Sequence, residues 1–249
     1  MNSEVSNIKC FIIHLKRANK RRKFVDEIVN NMPIASEIID AIDGSLLQEK
    51  EINSILSDKK ICNPKYPFNM NLGEIGCFLS HREAWQRIVD QKLEAGLIIE
   101  DDVRVNPPIF NKSLNFTLRY IRKYKYIQFQ VREPNRRTDI IETENELKIL
   151  NPLPVHLRTS AQLVSFEAAV ELLNKTKKID RPVDTTLQIF WETKIQCYCV
   201  NQSGISDHTL EAGGSTLAHK NHSKHKILRN IKRLEYRLKI FYLSQFQKY

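Results

Sequence analysis

Three consecutive carboxylates, Glu100, Asp101 and Asp102, follow directly on the apolar run Leu97-Ile98-Ile99 and precede Val103. A buried strand that delivers three acids at its carboxyl end has the arrangement of a site for a hard divalent cation. Adjacent acids repel one another and need water, a helix N-terminus, cations or a metal to be tolerated. The bland alternative is a solvated acidic turn at a strand end. A second set lies upstream, in Leu72-Gly-Glu-Ile-Gly-Cys-Phe-Leu-Ser-His-Arg-Glu-Ala-Trp85. On a helix, Glu74, Cys77 and His81 fall at i, i+3 and i+7 and share one stripe. Ile75, Phe78, Trp85, Ile88 and Val89 recur near a 3.6 period on another stripe and should face a core. Such a helix can pack its apolar side inward and show a Glu, a small residue and a His to a cleft. A helix histidine on its own is as well explained by a surface or core role.

These groups need a scaffold, and the flanking sequence supplies its pattern. Residues 8–15 read as a buried strand, 16–31 as a basic loop followed by a helix, and 34–42 as a second strand ended by the turn pair Asp43-Gly44. Residues 45–70, with Pro64 and Pro67, read as an irregular loop with room for one helix. Residues 73–93 form the helix above, 96–100 the central strand, 109–122 a helix and 126–131 a strand; 133–146 are charged and exposed. Ser165 can cap a helix over 166–175. Residues 184–192 read as a short helix and 195–200 as a strand. Strands alternating with helices imply an α/β layer with a mostly parallel sheet. Ligands in such sheets bind beyond the carboxyl ends of the strands, which is where the acids fall.

The 249 residues suffice for one large α/β domain or two small ones, and 41% hydrophobic content permits a real core. No internal repeat is evident. The polar start and the short apolar run at 10–13 do not make a signal peptide. No stretch approaches the roughly 18 apolar residues of a membrane-spanning helix. Cys10, Cys62, Cys77, Cys197 and Cys199 are an odd, scattered set, expected as free thiols in a reducing cytoplasm. The formal charge is +10, yet residues 220–249 carry nine Lys and Arg against Glu235 alone, which is +8 of it. The division expected is therefore a catalytic unit over 1–219 and a basic amphipathic helical tail over 220–249.

Taken together, Gly73-Glu-Ile-Gly-Cys-Phe-Leu-Ser-His81, Trp85, Ile88 and Gly96-Leu-Ile-Ile-Glu-Asp-Asp-Val103 resemble glycosyltransferase family 25, the lipooligosaccharide galactosyltransferases of Gram-negative bacteria. Three further pieces agree: Leu15-x-Arg17-x-x-x-Arg21-Arg22, Ala41-Ile-Asp43-Gly44 and Pro182-Val-Asp184. The likeness spans about residues 8–215, and it rests on the combination rather than on any one piece. Two departures stand out. His14 occupies a position where the family usually has Asn. The usual C-terminal motif is blurred into Ser203-Gly-Ile-Ser-Asp-His-Thr209 and Gly214-Ser-Thr-Leu217.

The resemblance implies a GT-A fold, a Rossmann-like α/β domain that binds a nucleotide sugar, and inverting chemistry. It implies Mn²⁺ or Mg²⁺ as cofactor and UDP-galactose, or else UDP-glucose, as donor. A cation held by carboxylates can take up charge on the departing diphosphate. Glu100-x-Asp102 stands where such enzymes carry Asp-x-Asp. Asp102 is assigned to direct metal ligation. Glu100 and Asp101 are left to ribose, metal or metal-bound water, with the division between them open. His208 is a candidate further ligand of metal or diphosphate, or a loop histidine. Arg17, Arg21 and Arg22 suit phosphate, or else Arg21, Arg22 and Lys23 form an exposed helix face. Glu74 and His81 face the same cleft. Asp184 is the first choice for the base that accepts the acceptor hydroxyl's proton, with Glu192 and Asp207 behind it; Asp184 could equally be a helix cap.

Residues 223–249 read as one amphipathic helix, with Ile227, Ile231, Leu234, Leu238, Phe241 and Gln245 on one stripe and basic residues around it. Such a helix suits an anionic membrane surface, or else packs on the catalytic domain or on a partner in a homodimer. The acceptor implied is the glycan of a lipooligosaccharide, and the location implied is the cytoplasmic, inner face of the bacterial inner membrane. No helix-turn-helix, finger or aromatic RNA-binding signature supports a nucleic-acid reading of the basic tail. A phosphohydrolase would draw acids from several strands, whereas one acid-rich strand end is evident here. A catalytically silent scaffold is argued against by the intact acid triplet.

Overall fold

The computed structural model describes residues 7–57, 59–131, 138–211, 214 and 226–246. Ten strands are present among them: β1 (Ile8–His14), β2 (Ser36–Asp40), β3 (Ala95–Glu100), β4 (Val103–Val105), β5 (Tyr126–Phe129), β6 (Thr138–Glu144), β7 (Leu147–Pro152), β8 (Ala161–Ser165), β9 (Tyr198–Val200) and β10 (Ile205–Asp207). The helices are α1 (Arg22–Asn31), α2 (Glu49–Ile55), α3 (Leu72–Asp90), α4 (Pro107–Leu118), α5 (Ile121–Tyr124), α6 (Phe166–Lys175), α7 (Val183–Leu187), α8 (Phe190–Thr193) and α9 (Lys226–Phe246).

Eight strands form one sheet in the order β2-β1-β3-β8-β5-β9-β7-β6, and β10 pairs with β4 alone. The β2-β1-β3 edge is parallel, as strands alternating with helices require. β8 runs antiparallel between β3 and β5, and β6–β7 is an antiparallel hairpin at the far edge, so the sheet as a whole is mixed. Neither the hairpin nor β8 is legible in the pattern. β8 is buried on both faces and lacks the alternation that marks a half-exposed strand. The α/β architecture is the Rossmann-like, GT-A kind expected.

The strands at the centre bury side chains on both sides. Cys10, Ile12, Leu97 and Ile99 meet Val25 and Ile28 of α1 and Phe110 and Leu114 of α4. Phe11, Ile13 and Ile98 meet Phe78, Trp85 and Ile88 of α3 and Ala168 and Leu172 of α6. This period-2 division explains why β1 and β3 read as continuous apolar runs. α3 begins at a capping box: Glu74 N–H donates to Asn71 Oδ1 (2.9 Å) and Asn71 N–H to Glu74 Oε2 (2.8 Å). α6 begins at Ser165, whose Oγ accepts from Ala168 N–H (3.2 Å), as expected.

The expected tail is helical over α9, but it is not a free appendage. Tyr236, Ile240 and Ser244 are buried, the first two against Ile189, Cys62, Tyr66 and Trp191. The stripe singled out in the sequence points the other way. Lys220, Lys224, Lys248, Tyr249 and the segment Ser215-Thr-Leu217 lie outside the described residues.

α3 is held close to the turn after β2 by two glycines. A Cβ on Gly76 would sit 2.5 Å from Ile42 O and 2.6 Å from Gly44 N, and one on Gly44 would sit 1.7 Å from Leu72 O. Ser80 Oγ accepts from Ile42 N–H (2.8 Å) and donates to Gly76 O (2.7 Å), closing the same joint. Because backbone rather than a flexible side chain is in the way, Gly76→Ala should lower the unfolding free energy by about 1–3 kcal/mol, as read by urea denaturation. An unchanged midpoint would mean that the joint yields freely.

Candidate active site

The joint brings α3 against the carboxyl ends of β1 and β3. There the three acids meet three different environments. Glu100 Oε1 lies 3.0 Å from His81 Nε2 and accepts from Thr159 Oγ1 (2.8 Å). An ionised carboxylate only accepts, so Nε2 carries the hydrogen. His81 Nδ1 then accepts from Gln162 Nε2 (3.0 Å), and Gln162 Oε1 accepts from Tyr126 O–H (2.6 Å). This buried chain runs through α3, β8 and β5 and fixes the carboxyl of Glu100. Burial raises the Glu100 pKa, but the His81 and Thr159 hydrogen bonds outweigh it, and the net shift is downward.

Asp101 is buried and fully partnered. Its Oδ2 accepts from His14 Nδ1 (2.7 Å) and Leu15 N–H (3.3 Å), and its Oδ1 from Arg21 Nη1 (2.5 Å). Arg21 also donates to Gly214 O (2.7 Å). Arg21 and Asp101 thus form a clip between β3 and the turn before α1. His14, a departure from the family pattern, is part of that clip.

Asp102 has less. Arg21 Nη1 and Thr209 Oγ1 each lie 3.4 Å from its Oδ2. Burial, then the negative charge of Glu100, push its pKa up to about 7. A buried carboxylate short of positive charge is what a hard cation would relieve, so the residues present fit a divalent ion on Glu100 and Asp102. Cys77, His81 and Glu100 also offer donor atoms within 4.8 Å of one another. That trio suits a hard cation less well. Burial pushes the Cys77 thiol well up, and both ring nitrogens of His81 are engaged.

Two cavities share Cys77, Glu100 and Asp102 in their walls. The smaller, about 100 Å³, is bounded by Arg17, Arg21, Asp43, His81 and Asp101. The larger, about 410 Å³, is bounded by Tyr66, Glu74, Arg158, Thr159, Asp184 and Thr209. Glu74 therefore both caps α3 and faces the cleft. Arg17 is at the rim, its Nε donating to Asp43 Oδ2. Asp184 Oδ2 accepts from Arg158 N–H (3.2 Å) and its Oδ1 from Thr185 Oγ1 (3.1 Å); burial raises its pKa.

The remaining candidates are brought close or not by β10. Its antiparallel pairing with β4 sets Asp207 opposite Val103, and His208 N–H donates to Asp102 O (2.9 Å). Asp207 is consumed there: Thr209 N–H (3.0 Å) and Oγ1 (2.6 Å) and the Arg158 guanidinium bond to it, and they hold its pKa well below the usual range. The His208 ring is buried edge-on to Phe24 of α1 (centroids 4.5 Å) and lines neither cavity. Its Nε2 lies 3.0 Å from Glu211 Oε2 without hydrogen-bond alignment. Glu192 accepts from Asn63 N–H (3.1 Å) and also lines neither cavity. Tyr66, Tyr126, Arg158, Thr159, Gln162 and Thr209 were not anticipated. All but Thr209, which ends the blurred motif over 203–209, sit in segments with no local acid or glycine pattern, and only the fold assembles them.

A family model described as glycosyltransferase family 25 (LPS biosynthesis protein) matches residues 7–187. The chain belongs to this family. It is 31% identical over 140 residues to human procollagen galactosyltransferase 2, covering 51% of this chain and 22% of that one. It is 28% identical over 196 residues to procollagen galactosyltransferase 1 of Danio rerio, covering 73% and 31%. The family 25 chain thus spans less than a third of the length of these relatives. A solved glycosyltransferase involved in glycosylation of the major capsid of PBCV-1 aligns over 74% of this chain and 67% of its own, at 13% identity and a TM-score of 0.32. That likeness is too loose to support an argument.

Two outcomes test these assignments. Replacing Asp101 by Ala strands a buried Arg21 and should lower the unfolding free energy by about 3–5 kcal/mol; a loss under about 1 kcal/mol would deny the clip. For Asp102 the folded pKa is raised. Its stabilising contribution is therefore complete below the unfolded carboxylate value and is lost as pH rises through about 7. Asp102→Asn has no such loss. The melting temperature of that variant should exceed the metal-free wild type by more at about pH 8 than at about pH 5, and Mn²⁺ should raise the wild type chiefly at the higher pH. An equal gap at both pH values would remove the charge-starved carboxylate.

Proposed function

We propose that the chain is an inverting glycosyltransferase that moves a hexose from a UDP-sugar to the oligosaccharide of a bacterial lipooligosaccharide or lipopolysaccharide, with Mn²⁺ or Mg²⁺. The observation that carries the reading is the seam at Glu100 and Asp102, where two cavities meet across a carboxylate short of positive charge. Galactose is the favoured sugar, because the relatives named above are galactosyltransferases; glucose is the alternative. The family's description supports a lipopolysaccharide acceptor. The protein would work at the cytoplasmic face of the inner membrane, where a nucleotide sugar meets a growing lipid-linked glycan.

Asp102 and Glu100 would hold the cation, which when bound supplies a Lewis acid to the diphosphate. Arg17 at the rim of the smaller cavity can orient phosphate by its planar fork. Arg21 acts indirectly, by holding Asp101 and leaning on Asp102. In the larger cavity the Asp184 carboxylate takes the proton of the acceptor hydroxyl as that oxygen attacks the anomeric carbon opposite the departing UDP. Its raised pKa makes it the better proton acceptor. Asp207 is a poorer one because its lone pairs are occupied, and Glu192 lines neither cavity.

The experiment is a melting-temperature series with UDP, UDP-galactose and UDP-glucose, with and without Mn²⁺, followed by transfer assays. UDP-galactose should raise the midpoint only with Mn²⁺, and more than UDP-glucose does. Asp102→Asn should lose both the response and about 10³-fold in transfer. Asp184→Asn should keep donor binding but lose about 10²–10⁴-fold in kcat. No response to any uridine nucleotide would overturn the reading.

A further inference from the structure

α9 has two apolar faces, and only one is used. The inward face carries Tyr236 and Ile240, 7% and 2% exposed, and is pinned by Arg181 Nη1 donating to Tyr236 Oη (3.1 Å). At 100° per residue, Ile231, Leu234, Leu238 and Phe241 lie on the opposite side. They are 56%, 60%, 60% and 51% exposed. With Leu153 beyond β7, the last three border an open groove of about 890 Å³ that also contains Arg237, Gln245, Asn151 and Asp139. A stripe of this size left in water on a helix that is already docked calls for an occupant.

Charge selects the occupant. α9 carries Lys226, Arg229, Lys232, Arg233, Arg237 and Lys239 against Glu235, and Glu235 is already paired with Lys239 (2.6 Å). Arg229 and Arg233 lie over the Phe68 ring, 5.4 and 5.9 Å from its centroid. Arg237 is exposed on one flank of the outward stripe and Lys239, with its partner Glu235, on the other, while Lys232 is exposed farther round, toward the inward side. A second copy would set the same positive helix against this one, with Asp139 the single acid lining the groove against it. A nucleic acid would answer the charge and leave the leucines in water. A bilayer containing anionic lipid answers both.

We propose that the outward face of α9 docks on the surface of an anionic lipid bilayer, with the helix lying in the headgroup plane. The helix does not cross: no helix among the described residues is long and apolar enough. The docked helix is continuous with the larger cavity. Tyr66 lines that cavity and packs edge-on to Tyr236 (centroids 5.4 Å), and Arg181, which bonds Tyr236, directly precedes Pro182-Val-Asp184 in the cavity wall. The bilayer would thereby stand at a fixed place relative to that cavity. This inference is independent of which sugar is transferred.

The test uses the full chain and sedimentation with vesicles of phosphatidylcholine, with and without phosphatidylglycerol. Binding should require phosphatidylglycerol and weaken as salt rises. The double variant Leu234→Glu/Leu238→Glu should lose binding while its melting temperature holds, because neither side chain is buried. The triple variant Lys232→Gln/Arg237→Gln/Lys239→Gln should lose on the order of 100-fold. Undiminished binding by the leucine variant, or no vesicle binding by the wild type, would overturn the proposal. So would a dimer in light scattering that the leucine variant converts to monomer, since the occupant would then be a second copy. Binding to duplex DNA in preference to the vesicles, unaffected by the leucine changes, would overturn it in favour of nucleic acid.

Discussion

Three neighbouring carboxylates at the end of a buried strand cannot all keep their charge unaided, and the site is organised around how that problem is divided. Glu100 is stabilised by hydrogen bonds from His81 and Thr159, Asp101 by Arg21 and His14, and Asp102 by very little. Desolvation raises a carboxyl pKa unless opposite charge or donors repay it. The result is one acid held in orientation, one spent on structure and one left in need of a cation. Arg21 is central because it saturates Asp101 and reaches Asp102 only at 3.4 Å.

The scaffold serves that division. β1 and β3 are parallel and buried on both faces, so their carboxyl ends open together where α1 and α3 begin or pass. The close approach of Gly76 to the turn at Gly44 brings Cys77 and His81 into the same opening. β8, antiparallel in the middle of the sheet, supplies Gln162, and the segment just before it supplies Thr159 and Ser160. β10 returns along β4 and closes the site with Asp207 and Thr209. Each element contributes one or two side chains, as expected where ligands bind beyond the strand ends of an α/β sheet.

The C-terminal helix adds a second theme. An amphipathic pattern announces an apolar face without saying what covers it. Here the strongest stripe stays in solvent, and a weaker one, Tyr236 and Ile240, makes the intramolecular contact. The domain offers Ile189, Tyr66 and Trp191, a small aromatic patch that a tyrosine satisfies better than a row of leucines, because its hydroxyl reaches Arg181.

The sequence by itself determined the acid triplet at a strand end, the cleft-facing stripe on α3, the Ser165 cap, the α/β class and the family. All of these are written in residues a few positions apart. It did not determine which acid takes which role, that Arg21 is engaged by Asp101 and His208 lines neither cavity, that β8 runs antiparallel, or which face of α9 is buried. His14 and Arg21 find Asp101 across 87 and 80 residues, and Gln162 finds His81 across 81. Partnerships of that span depend on where the sheet brings strand ends together. Local periodicity carries no record of it, because burial and charge compensation are set by the neighbours that folding supplies.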